Sequence, residues 1–176
     1  MRLCERILLT CDIIATMIEH NPYNVPLAYL ITFTCYGTWL HGDKRGSVDI
    51  KHNQFGEAFL EEDPHKEMDE FKRLRHLPVY LSQEQRDCIA QSIAHVCESR
   101  SWKLWEVNVR TNHVHVVLSS AELPKAVLRA LKSRSTIDMK SNGLFDQEKL
   151  WTRGGSTRYL WKEDALEAAC RYVREQ

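Results

Sequence analysis

Two histidines, His113 and His115, stand two residues apart in the string NHVHVVL. Successive side chains of a β-strand point to opposite faces, so in a strand both imidazoles project from one face. The residues between and after them, Val114, Val116 and Leu118, then form an apolar opposite face. Two neutral imidazoles this close can chelate one divalent metal ion. Because HxH is a short pattern, a pair of surface histidines on a half-exposed strand is the alternative.

A tyrosine and a glutamine, Tyr172 and Gln176, stand four residues apart in ALEAACRYVREQ at the end of the sequence. In a helix this spacing places them on one edge, beside the apolar stripe. A tyrosine can act as a covalent nucleophile when a nearby metal ion or a positioned phosphate activates it. Judged on spacing alone, a tyrosine packed at the core margin and a solvated terminal glutamine explain the pattern better.

A third group combines cations and aromatic rings between residues 125 and 161. Cations that contact phosphates, beside rings that stack on bases, are the usual ingredients of single-strand binding. A solvated basic helix face together with core tryptophans explains the same residues equally well. The group consists of Lys125, Arg129, Lys132, Arg134, Lys140, Trp151, Arg153, Arg158, Tyr159 and Trp161.

The elements that must position these residues are predicted in the order β–α–β–β–α–β–α. The strands around the histidines, 103–109 and 113–119, are separated by three residues, which predicts a hairpin. The helix before them begins at a capping box formed by Ser82 and Gln85. The other predicted elements are a strand at 27–37, a helix from Pro124, a short strand at 156–161 and a final helix from Glu163 and Asp164.

This order contains a β-α-β-β-α-β unit, the ferredoxin-like split βαβ arrangement. We therefore predict an α+β fold, in which an antiparallel sheet carries helices on one face and a C-terminal helix carries Tyr172. The 176 residues suit one globular domain. We assign residues 1–26 to an N-terminal extension and 27–176 to the domain, with an irregular insertion at about 37–80. An insertion of that length is usually functional or mobile.

The apolar stretch near the N-terminus does not indicate a membrane anchor or a signal peptide. Asp12 and Glu19 interrupt it, no small-residue cleavage site follows, and it is too short to span a bilayer. It is predicted to be an amphipathic helix or a poorly ordered extension. The six cysteines are scattered without a CxxC pair, which favours a reduced, cytoplasmic protein over a disulfide-bonded one.

The charges of the chain balance, with 24 basic and 24 acidic residues, which argues against a polybasic binder of nucleic acid or membrane. The balance is not uniform, however. Residues 103–162 hold eleven basic and five acidic side chains, a local charge of +6, whereas residues 57–102 hold six and ten. The sequence therefore describes a local basic track in a neutral protein.

Together these residues resemble the single-tyrosine HUH transposases of small bacterial insertion sequences, including the REP-associated tyrosine transposases. The resemblance covers about residues 27–176. No single string is decisive, but the ordered set is specific. The matching strings are TFTCYGTWLHGDKRGSVD, VNVRTNHVHVVLS, LKSRST, WTRGGSTRYLWKED and RYVREQ.

The resemblance implies a usually dimeric enzyme that cuts and rejoins single-stranded DNA through a 5′-phosphotyrosine. By position, His113 and His115 match the pair that binds a divalent ion, normally Mg²⁺ or Mn²⁺. Tyr172 matches the nucleophile, and Gln176 matches a glutamine that completes metal coordination in relatives. The substrates it implies are DNA ends that form hairpins. The basic residues expected to contact DNA are Lys125, Arg129, Lys132, Arg134, Arg153 and Arg158.

Three other functions fit parts of the sequence. A catalytically inactive or domesticated protein of the same fold that binds single-stranded nucleic acid needs neither the metal nor the tyrosine. A metal-dependent hydrolase fits the HxH pair, but no Asp or Glu stands close to it as an evident general base. A purely structural or protein-interaction domain leaves the joint occurrence of HVH, the basic block and YVREQ unexplained.

Overall fold

The computed structural model of the chain describes residues 25–40 and 63–176. Its elements follow the predicted order, with one additional helix. They are β1 (Ala28–Thr34), α1 (Pro64–Lys72), α2 (Gln83–Ser99), β2 (Lys103–Val109), β3 (His113–Ser119), α3 (Pro124–Ser141), β4 (Ser156–Leu160) and α4 (Glu163–Glu175).

The four strands form one sheet in the order β2-β3-β1-β4, and every neighbouring pair is antiparallel. The central strands are therefore β3 and β1, while β2 and β4 are the edges. With α2 and α3 as the connections, this is the ferredoxin-like β-α-β-β-α-β arrangement. The predicted α+β fold is confirmed.

One face of the sheet is covered by α2 and α3. Val114, Val116 and Leu118 of β3 are completely buried on this face, in one apolar cluster with Ile93 of α2 and Leu131 of α3. A slip of one residue in the register of β3 would turn these side chains away from the helices. Their burial therefore fixes the histidines to the opposite face.

The C-terminal helix α4 packs on that opposite face. Its buried residues Ala169 and Val173 form a second apolar cluster with Val117 of β3, Ala28 of β1 and Leu160 of β4. The amphipathic pattern of α4 thus places the helix that carries the tyrosine on the face from which the histidines project.

The predicted hairpin strands coincide with β2 and β3 residue for residue. The predicted capping box is also formed, since Ser82 Oγ accepts from the Gln85 amide at 3.2 Å and Gln85 Oε1 accepts from the Ser82 amide at 2.9 Å. These features depend on neighbouring residues only, and the sequence pattern predicts them for that reason.

The structure differs from the prediction of an irregular insertion at about 37–80, because residues 64–72 form α1. Asp63 caps this helix by accepting from the amides of His65 and Lys66, and Pro64 occupies its first turn. None of its nine residues is buried, so no stripe of core residues marks the helix in the sequence. Residues 41–62 of the insertion and 1–24 of the predicted extension lie outside the described residues.

No helix in the described ranges is both long and apolar enough to cross a bilayer. Burial raises the pKa of the Cys35 thiol to about 12 and that of the Cys97 thiol to about 11, so both pack as small apolar groups. The described cysteines are all free thiols: Cys35, Cys88, Cys97 and Cys170.

Candidate active site

The histidine pair lies on central strand β3, between β2 and β1. The rings of His113 and His115 have their centroids 4.7 Å apart and their planes at 76°. His115 pairs in register with Thr32 of β1 on one side and with Asn108 of β2 on the other. The two imidazoles therefore project together into one row of polar side chains, as the alternation predicts.

Each imidazole has a partner at Nδ1. Asn112 Oδ1 lies 2.8 Å from Nδ1 of His113, and because an amide oxygen only accepts, this contact is a hydrogen bond in the tautomer that carries the proton on Nδ1. Thr32 Oγ1 lies 2.7 Å from Nδ1 of His115. Such partners orient the rings of histidines that bind metals, and in the tautomer that carries the proton on Nδ1 the lone pair available to a metal ion is on Nε2.

His115 is only 5% exposed. Its pKa is lowered to about 4, first because burial disfavours the charged ring and then because of the nearby charges of His113 and Arg110. The ring is therefore neutral near pH 7, which is the form that binds a metal ion.

Tyr172 lies beside the histidine pair of its own chain. Its ring centroid is 5.4 Å from that of His115, with the planes at 72°. Its neighbour Val173 is completely buried against the sheet, whereas Tyr172 itself is 46% exposed. The helix thus holds the tyrosine next to the imidazoles while leaving it open to a large substrate.

Gln176 makes its described contacts through its backbone. Asn108 Nδ2 donates to the Gln176 carbonyl at 3.3 Å, and Arg110 Nη1 donates to the same oxygen. Metal ligation by the Gln176 side chain stays a prediction. Within residues 25–40 and 63–176, the histidine pair is not part of any group of three or more His, Cys, Asp or Glu side chains suited to a metal.

The predicted DNA-binding residues divide between the two faces of the sheet. Lys125, Arg129 and Arg134 belong to α3, which packs on the face opposite the histidines. Arg158 belongs to edge strand β4 and pairs in register with Leu30, two residues before Thr32, which places it on the histidine face. The basic block is therefore continuous in sequence but not in space.

Lys132 is occupied by contacts within the protein. Its Nζ donates to the carbonyls of Thr152, at 2.7 Å, and Gly154. Burial lowers its pKa to about 8. These contacts hold the segment that contains the exposed Arg153. The amide of Thr152 in this segment donates to the carbonyl oxygen of Thr34, the register partner of His113. DNA contact by Lys132 stays a prediction, and its described role is to anchor this segment.

Two aromatic rings are stacked and open to solvent at the β4 edge. Tyr159 and Trp161 have parallel rings, 6.0 Å apart at 9°, and each is nearly half exposed. Tyr159 also meets the buried Tyr29 edge to face, which fixes the pair to the sheet. Such exposed rings are suited to stacking on unpaired bases.

Sequence reasoning did not find the partners that orient the site. Thr32 is distant from the histidines in sequence and reaches them only through the pairing of β1 with β3. Asn108 reaches Val173 of α4, and Arg110 reaches Gln176, because β2 lies beside β3 in the sheet. Asn112 is the partner that the sequence could have indicated, since it directly precedes His113.

The family described as "Transposase IS200 like" matches residues 77–176, more than half of the chain. No curated protein sequence matches it.

Two solved structures are similar in fold. A crystal structure of a candidate transposase from Deinococcus radiodurans R1 has a TM-score of 0.50 at 13% identity, covering 89% of this chain and 95% of that one. A REP-associated tyrosine transposase bound to a REP hairpin has a TM-score of 0.50 at 12% identity, covering 86% of this chain and 66% of that one. At these identities the two structures support the fold, and the family match extends from before α2 to the end of the sequence. The family resemblance is thus confirmed, and the chain belongs to the IS200-like transposase family.

Proposed function

We propose that this chain is a transposase that cuts and rejoins single-stranded DNA through a 5′-phosphotyrosine at Tyr172. The observation that carries the proposal is the convergence of Tyr172 with His113 and His115 in one chain. These residues come from two separate elements, β3 and α4, and none of the three side chains belongs to either apolar cluster.

The donors at the site fit a divalent metal ion. His113 and His115 would hold it through Nε2, because their Nδ1 atoms face Asn112 and Thr32 and the low pKa of His115 keeps that ring neutral. Mg²⁺ and Mn²⁺ also take oxygen ligands, which the Gln176 amide, water or a DNA phosphate would supply. When bound, the ion would polarise a phosphate oxygen and offset charge that develops in the transition state.

In the proposed reaction, Tyr172 Oη attacks the scissile phosphorus in line with the 3′ oxygen. The bond from Oη to phosphorus forms, the bond from phosphorus to the 3′ oxygen breaks, and the products are a 5′-phosphotyrosine and a 3′-hydroxyl. The phenol proton is released and the leaving 3′ oxygen takes up a proton from solvent. Attack by a 3′-hydroxyl on the phosphotyrosine reverses these changes and rejoins DNA without nucleotide hydrolysis.

We further propose that the substrate is single-stranded DNA with hairpin ends. One of the structural neighbours is bound to a REP hairpin, and the two faces of this protein offer cations for different parts of such a substrate. A single tyrosine forms one covalent bond at a time, so two subunits are expected to serve two DNA ends. We therefore propose a homodimer in which each chain carries a complete set of histidines and tyrosine.

The test is covalent capture of DNA. Incubation of the protein with a single-stranded hairpin substrate and Mn²⁺ is expected to give a protein–DNA adduct that Tyr172→Phe abolishes. Tyr80→Phe is the matched control, because Tyr80 is 65% exposed and lies outside the site. An adduct that survives in Tyr172→Phe would reject the assignment of the nucleophile.

One observation favours a second candidate, a non-catalytic binder of single-stranded nucleic acid. The stacked pair of Tyr159 and Trp161 and the cations of α3 need neither metal nor tyrosine chemistry. Tight binding of single strands without cleavage under any divalent ion would support this function over the first.

A further inference from the structure

Glu106 and Asn108 of β2, together with Arg110 directly after the strand, contact the last turn of α4 and Gln176. Their alternate positions place the three side chains on one face of the sheet, since side chains repeat every second residue. Glu106 pairs in register with Val117 of the second apolar cluster, and Asn108 pairs with His115. We name these three residues the β2 clamp. They lie in the same polar row as the histidine pair.

Each member of the β2 clamp has a polar contact with α4 or with Gln176, the residue after it. Asn108 Nδ2 donates to the carbonyl of Val173 at 2.8 Å and to that of Gln176 at 3.3 Å. Arg110 Nη1 also donates to the Gln176 carbonyl. The carboxylate of Glu106 accepts from Nε and Nη2 of Arg174 at 3.0 and 2.8 Å.

These contacts tie the last turn of α4 to the sheet. Side-chain N–H groups of Asn108 and Arg110 donate to the backbone oxygens of Val173 and Gln176, and Arg174 pairs with Glu106. Loss of these contacts would leave the packing of Val173 to hold this turn on the sheet, and the turn would open more readily.

The final turn matters because Tyr172 is part of it. The apolar stripe of α4 determines which side of the helix faces the sheet, but Tyr172 stands one residue before Val173 and is about half exposed. The position of its ring beside His115 therefore depends on whether the backbone at Val173 stays helical. Asn108 bonds that backbone directly.

We propose that the β2 clamp, with Asn108 as its centre, positions Tyr172 for attack by fixing the last turn of α4 to the sheet. This rests on the proposed function of Tyr172. Asn108 is a positioning residue, since it acts through the helix and not on the DNA. A displacement of about 1 Å at a reacting group can slow a reaction by up to about 100-fold, so loss of these contacts is expected to affect the chemical step.

The test measures single-turnover formation of the tyrosyl–DNA adduct, with substrate affinity measured separately. Asn108→Leu removes the amide donor at similar volume and is expected to slow adduct formation roughly 10- to 100-fold, with substrate affinity changed less than about twofold. Asn108→Gln retains an amide donor and is expected to recover most of the rate. Substrate affinity that falls in parallel with the rate would contradict a positioning role.

The ion pair between Arg174 and Glu106 can be compared with a second arginine–glutamate pair on the same helix. Arg174→Met breaks the contact with Glu106, whereas Arg171→Met breaks only the pair of Arg171 with Glu167 inside α4, at 3.4 Å. Arg174→Met is expected to slow adduct formation and Arg171→Met to leave it unchanged. Equal effects of the two variants would overturn the proposal, even if Asn108→Leu failed to fold.

Hydrogen exchange separates this proposal from the proposed function. In Asn108→Leu, the amides of Tyr172–Glu175 are expected to exchange faster while those of β3 and α2 keep their protection. Unchanged exchange in that turn would overturn the clamp. If the wild-type chain formed no adduct with any DNA but the turn still loosened in Asn108→Leu, the proposed function would fail and the clamp would stand only as a structural link between β2 and α4.

Discussion

At the scale of single residues, the burial of His115 couples the site to pH. In the unfolded chain this ring titrates near its ordinary pKa of 6.5, while in the folded chain without metal its pKa is about 4. Between these values the unfolded chain holds a proton that the folded chain does not. The free energy of unfolding must therefore fall as the pH falls from 6.5 towards 4, and it regains this contribution above 6.5.

This sign gives a prediction for the metal-free protein. Lowering the pH from 7 to 5 is expected to cost about 2 kcal/mol through His115 alone. Between pH 7 and pH 5, the free energy of unfolding of His115→Gln should fall by about 2 kcal/mol less than that of the wild-type protein. Urea unfolding with a metal chelator at both pH values measures the difference. Parallel pH profiles for the two proteins would mean that His115 does not carry this proton linkage.

At the scale of elements, the junction between β4 and β1 depends on a close approach at Gly155. A Cβ at this position would lie 2.9 Å from the backbone oxygen of Thr32 and 3.0 Å from Cδ2 of Leu128. Thr32 is the hydrogen-bonding partner of His115, so an added side-chain atom that displaces the backbone of β1 here would act next to the site. The preceding Gly154 has a different requirement, because its φ is +80° and its added Cβ would meet nothing within 4 Å.

The two glycines can therefore be separated by experiment. Gly155→Ala is expected to lower the free energy of unfolding by about 1–3 kcal/mol through overpacking and to weaken Mn²⁺-dependent cleavage through Thr32. Gly154→Ala should cost about 1–2 kcal/mol from backbone strain without that effect on cleavage. Urea unfolding and Mn²⁺ titration of cleavage check both variants. Equal cleavage by the two would show that β1 absorbs the added methyl group.

The elements also show which parts of the site were accessible from sequence. The hairpin, the shared face of the histidines and the amphipathic face of α4 follow from local periodicity, and all three were predicted. Thr32 and Asn108 join the site through strand pairing between distant segments, which periodicity does not encode. The exposed helix α1 was missed because none of its residues contributes to a core.

At the scale of the whole molecule, basic residues that belong to one block of the sequence lie on opposite faces of the sheet. The basic block follows the histidines in the chain, yet α3 carries its cations to the far face of the sheet, while β4 keeps Arg158 on the near face. DNA that contacts both groups must pass around the edge formed by β4, where Tyr159 and Trp161 are exposed. A hairpin stem on one face and a single strand on the other would satisfy this geometry.

This division predicts two separable phenotypes. Replacing Lys125 and Arg129 with glutamine is expected to weaken hairpin binding and reduce its salt dependence by about two logarithmic units of slope, one for each cation, because these cations would contact phosphates. The cleavage rate at saturating DNA should stay unchanged.

Replacing Arg153 and Arg158 with glutamine should instead slow cleavage of bound DNA. Arg158 lies on the strand paired with β1, and the segment that contains Arg153 is hydrogen-bonded to Thr34 of β1, the strand beside the histidines. Binding measured over a salt series and single-turnover cleavage distinguish the two pairs. If both pairs changed affinity and cleavage to the same degree, the DNA would contact a single surface, and the route around β4 would be wrong.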